Sequence, residues 1–105
     1  MSDDLKERQR QAARAELKRR LYLQIYDYRY SLGHSTDVEA LQGAVLCMGS
    51  IHELREHGLL TADEVTEAWA LVRSHYAERQ PEYLAEFDAF MERQFSPPTP
   101  KEPAP

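Results

Sequence analysis

Ala40 to Ile51 reads ALQGAVLCMGSI, twelve consecutive residues without a charge in a chain that is 30% Asp, Glu, Lys and Arg. The run is too short to span a bilayer, which needs ~20 apolar residues, so it predicts the central buried helix of a small bundle. On a helix Leu41, Val45, Met48 and His52 share one face, with Ala40, Ala44, Cys47, Ile51 and Leu54 beside it, so the apolar surface is wider than a single stripe. Other helices are therefore expected to cover it from at least two sides. Gly43, Ala44, Cys47, Gly49 and Ser50 are small enough to let a neighbouring backbone come close.

Toward the N-terminus, residues 3–32 contain no Gly or Pro and are dense in strong helix formers, which predicts one long helix. Its second half carries a core stripe of Leu17, Leu21, Ile25, Tyr28 and Leu32, expected to dock on the central helix. The first half offers a core only Leu5 and three alanines, so residues 1–16 read as a basic helical arm that projects or frays. Gly33 is placed to cap the helix, and Ser35 or Thr36 to open the next.

Toward the C-terminus the central helix is expected to stop at Gly58. Thr61 and Glu64 then form a Thr-x-x-Glu capping box that opens a third helix with a core face of Val65, Ala68, Trp69, Val72 and Tyr76. Pro81 ends that helix and starts a fourth, running to Phe95 and presenting Leu84, Phe87, Met91 and Phe95, flanked by Tyr83 and Phe90. Residues 96–105, with five prolines, predict a disordered tail. The expected architecture is all-α: a small four-helix bundle over residues 17–95, with a long N-terminal helix and a Pro-rich tail.

Charge is unevenly divided. The 105 residues carry a net charge of -5, yet residues 1–20 hold seven Lys/Arg against four acids, net +3, which leaves -8 for the rest. Overall acidity argues against a general nucleic-acid binder. If nucleic acid is bound at all, the arm does it, through Lys6, Arg10, Arg14 and Lys18 at four-residue spacing. A helix-turn-helix at 50–70 is rejected, because its recognition helix would open with Asp63, Glu64 and Glu67 facing phosphates.

Catalytic and metal chemistry finds little support. His52 and His57 are five residues apart, about 140° around a helix, and cannot share a zinc as His-Glu-x-x-His does. Cys47 sits alone in the apolar run, where its thiol is a structural group rather than a nucleophile. No phosphate loop, metal-ligand spacing or Ser nucleophile motif is present, so neither an enzyme nor a cofactor is expected. The N-terminus lacks a signal-peptide core and no stretch suits a membrane, which points to the cytoplasm.

What remains is surplus apolar surface. Tyr22, Tyr26 and Tyr30 recur every four residues on the first helix, displaced from its core stripe, with Leu23 next to them. Another helix of the chain would ordinarily cover such a ridge. The competing reading is a contact surface, since tyrosine combines a large apolar area with a polar tip. With Arg19 and Arg29 these residues form the candidate partner-binding set. The function expected is a non-enzymatic regulator that binds another protein, as a stoichiometric inhibitor, anti-activator or adaptor, and that pairs with itself as a homodimer through the first helix. The alternative is a nucleic-acid-associated transcriptional regulator using the basic arm.

Overall fold

The computed structural model describes residues 2–95, so the tail expected at 96–105 lies outside the described residues. These residues form an all-α bundle without strands: α1 (Ser2–Ser31), α2 (Asp37–Glu56), α3 (Ala62–Arg79) and α4 (Leu84–Gln94), with 3-10 turns at Leu32–His34 and Pro81–Tyr83. Among the described residues, no helix is long and apolar enough to cross a membrane.

Helix starts follow local chemistry. Thr36 caps α2 and Thr61 caps α3. Each threonine hydroxyl accepts from a backbone N–H three residues on, and the glutamate there, Glu39 or Glu64, accepts in return from the threonine N–H. These reciprocal bonds satisfy donors that a helix start leaves orphaned. Gly58 turns the chain between α2 and α3 at φ +69°, a left-handed conformation that side chains resist. His57 is the C-cap of α2.

α2 is the hub and packs on α1, α3 and α4. Four of the five stripe residues of α1 dock as expected, Leu21, Ile25, Tyr28 and Leu32 being buried with Ala40, Ala44, Cys47, Met48 and Ile51 of α2, while Leu17 is only partly buried and outside this core. Val65, Ala68, Val72 and Tyr76 of α3 and Phe87 and Met91 of α4 complete the core. The small residues of α2 matter at Gly43, where a Cβ would come within 2.7 Å of the Tyr28 ring. That ring is itself held by its hydroxyl, which donates to the Ala40 carbonyl at 2.9 Å.

Four expectations are corrected. The central run is not wholly interior: Leu46 is 66% exposed, and Leu41 and Val45 are only partly buried. The cause is α4, whose eleven residues are too few to cover the side of α2 that α1 and α3 leave open. Gly33 is not a left-handed cap, since Gly58 is the only positive-φ residue described; the chain tightens instead into the 3-10 turn at Leu32–His34. Pro81 likewise opens a 3-10 turn, and α4 proper begins at Leu84. Trp69 is partly buried, its ring edge-on to Phe95 at 6.4 Å, while Phe95 also lies 5.8 Å from the half-buried His52.

Candidate functional site

The outer face of α1 lies opposite its core stripe. Leu23, Tyr26 and Tyr30, spaced i, i+3, i+7, are 47%, 63% and 75% exposed, so no helix of the bundle covers them. Tyr22 differs from its neighbours in the ridge. It is half-buried where α1 crosses α3, and its phenol pKa is raised by burial first and then by Glu67 nearby. The ridge is thus divided, with Tyr22 at the helix crossing and Tyr26 and Tyr30 free on the surface.

Arg29 lies between the two free tyrosines. With them it lines a shallow depression, and on its other side it joins His75 and Arg79 around a second one. His75 has a buried Nδ1 with no hydrogen-bond partner among the described residues. Its basicity is lowered by burial and secondarily by Arg29. The Tyr30 ring stands 6.4 Å from His34. Arg19 is occupied within its own helix: its Nη2 and Nε donate to Glu16 at 2.7 and 3.1 Å, and these bonds with those from Arg20 hold the Glu16 carboxyl at about 2.

The four residues of the basic arm have different settings. Lys6 is exposed, and Arg10 reaches Glu7 of its own helix at 3.4 Å. Arg14 and Lys18 cross to α3, where both meet the Glu64 carboxylate at 2.5 Å, and the Arg14 Nε donates to the Leu59 carbonyl at 3.1 Å. The boundary expected at residue 16 is therefore bridged, and the arm is tied down from Arg14 onward. Residues 3–13 are exposed along a continuous helix. Glu64 serves two purposes at once, as the reciprocal acceptor of the α3 capping box and as the anchor of α1, and its carboxyl is lowered to about 2 by Lys18 first, then Thr61 and Arg14.

Cys47 is buried and its thiol is pushed up to about 12 by desolvation, which leaves it protonated near neutrality. Among the described residues, no group of three or more His, Cys, Asp or Glu is placed to hold a metal.

Sequence reasoning missed a second apolar surface, a groove between α2 and α4 where Val38, Leu46 and Tyr83 are exposed. The signal was present in the width of the α2 run and in Tyr83 and Phe90 beside the α4 stripe. Nothing in the pattern said that α4 would be too short to absorb both. Comparison of the chain with protein-family models, curated proteins and solved structures finds no match.

Proposed function

We propose that this protein is a non-enzymatic cytoplasmic regulator that acts by binding another protein through the outer face of α1. The observation that carries the reading is the exposure of Leu23, Tyr26 and Tyr30 on one face of a helix whose other face is core. Single exposed apolar residues are ordinary, but adjoining ones mark contact surfaces. Arg29 between the tyrosines adds a residue type enriched at interfaces. The same face serves self-association, a symmetric pair using the patch twice.

The arm is less suited to nucleic acid than its composition suggests. Of the seven cations in residues 1–20, five, Arg10, Arg14, Lys18, Arg19 and Arg20, are paired with carboxylates of α1 or α3. Phosphates would have to displace those partners.

The test is affinity capture from the native host with wild type and with Tyr26→Glu/Tyr30→Glu, read by mass spectrometry. A protein retained by the wild type and lost from the folded variant supports the reading, whereas an unchanged set of captured proteins defeats it. Light scattering should give about twice the 12.2 kDa chain mass for the wild type and the single mass for the variant. Salt-steep binding to duplex DNA that depends on Lys6 and Arg10 would favour the nucleic-acid reading instead.

A further inference from the structure

We infer that the groove between α2 and α4 docks a short amphipathic helix of a partner protein, apolar along its inward face and basic at one end. The inference does not depend on the α1 face. Two adjoining open depressions of ≈ 390 and ≈ 520 Å³ share Leu41 and Phe90 as a common wall. Together they run from Val38 to Leu46, about 12 Å along α2 at ~1.5 Å per residue. That length matches the span of side chains at i, i+4 and i+7 of a docked helix, the usual anchors of helix-in-groove recognition.

The two ends of the groove differ in charge, and this selects the occupant. Around Val45 and Leu46 the lining is uncharged. At the other end Asp37 and Glu86 line the wall, and the Tyr76 hydroxyl, held neutral mainly by burial, also feels Asp37, Glu86 and Glu82. The opposing cations are Arg93 on the wall and Arg79, which stands 3.4 Å from Asp37. Among the residues that line that end, two carboxylates stand against the single guanidinium of Arg93, so the wall is net negative and favours a Lys or Arg of the incoming helix. A second copy of α2 fits poorly. Glu39 and Glu53 lie seven residues either side of Leu46 on the same face, so antiparallel pairing centred there would set Glu39 of one copy against Glu53 of the other.

The test uses the full chain and a stapled helical peptide of about fourteen residues, with leucines at i, i+4 and i+7 and two lysines at one end. Its partner probe carries glutamates in place of the lysines. Fluorescence anisotropy should show micromolar binding of the lysine peptide, weakened about tenfold by Leu46→Glu and about fivefold by Glu86→Lys, with the glutamate peptide at least tenfold weaker. Tyr26→Glu should leave these affinities unchanged, which separates this result from the fate of the α1 reading. No binding at about 100 μM, equal binding of both peptides or indifference to Leu46→Glu overturns the proposal. So does a dimer that Leu46→Glu dissociates, which would assign the groove to a second copy. Nuclear Overhauser contacts from residues 97–105 to the Phe90 ring in the free protein would assign it to the chain's own C-terminal segment, and overturn the proposal equally.

Discussion

Replacing Glu64 should loosen both the start of α3 and the hold on α1. Its carboxylate accepts from the Thr61 N–H at 2.9 Å, from Arg14 Nη2 at 2.5 Å and from Lys18 Nζ at 2.5 Å. Its side chain is 14% exposed, while Arg14 and Lys18 are 40% and 42% exposed, so solvent screens the ion pairs strongly. Half-exposed pairs of this kind contribute about 0.2–1 kcal/mol each. The returning capping bond adds roughly 0.5–1 kcal/mol. Glu64→Ala should therefore cost about 2 kcal/mol and lower Tm by roughly 8–16 °C, at about 4–8 °C per kcal/mol for a domain of this size. Glu64→Gln keeps a capping acceptor and loses the charge, so it should cost about 1 kcal/mol. The sign with pH follows from a folded-state pKa lowered from 4.5 to about 2. The charge stabilises the fold fully above the unfolded value and progressively less as pH falls through the folded one. Thermal melts followed by circular dichroism should show the wild-type advantage over Glu64→Gln intact near neutral pH, reduced by high salt and nearly gone by the folded-state value. A Gln variant as stable as wild type at neutral pH and low salt, or a deficit that persists in acid, would refute the reasoning.

Gly43→Ala places a Cβ 2.7 Å from Cδ1 of a Tyr28 ring that its bond to Ala40 holds in place. Overpacking of about 1–3 kcal/mol should outweigh the ~1 kcal/mol gained in helix propensity, and denaturant unfolding should show Tyr28→Leu relieving the loss in the double variant. A stabilised Gly43→Ala would show that the ring is free to move. Gly58→Ala, at φ +69°, should cost about 1–2 kcal/mol by the same assay, with no change in the binding surfaces. Cys47, buried and with its thiol pushed up to about 12, should react with an aromatic disulfide reagent at mildly alkaline pH only as fast as the chain unfolds. Rapid labelling of the native protein would contradict its placement.

The elements that were readable in the sequence are those decided by near neighbours. The capping box at Thr61 uses residues three apart, the Gly58 turn is decided within one residue, and the α1 core stripe is a periodicity; at the start of α2 the sequence allows either Ser35 or Thr36, and the structure puts the box on Thr36. The misreadings arise where a distant side chain does the work of a local one. At the end of α1, the carbonyls of Leu32 and Ser35 accept from Arg79 Nε and Nη2 at 3.1 and 2.8 Å. That guanidinium fixes the 3-10 turn and the link to α2 from the far end of α3, a contact that no local pattern around Gly33 shows. The arm shows the same effect, since Arg14 and Lys18 look like part of a cationic stripe until α3 brings up Glu64. For the candidate site, the sequence marked Tyr26 and Tyr30 as surplus, but the exposure of Leu46 depended on how far α4 reaches, a property of the assembled bundle.

Among the described residues, the exposed large apolar side chains other than Leu5 fall into two groups: Leu23, Tyr26 and Tyr30 on α1, and Val38, Leu46 and Tyr83 along the groove. Both groups leave about half or more of each side chain uncovered by the bundle. Their electrostatic settings differ. Arg29 lies within the first group, whereas Asp37 and Glu86 line one end of the second. A partner selected by one setting is disfavoured by the other, since like charges brought together at an interface are costly. On the two proposals made above, the chain would hold two unlike partners at once. Among inhibitor, anti-activator and adaptor, that arrangement fits the adaptor best. The distinction is open to measurement, because an adaptor binds the groove peptide equally well whether or not the α1 partner is present, while a single composite site would show competition between them.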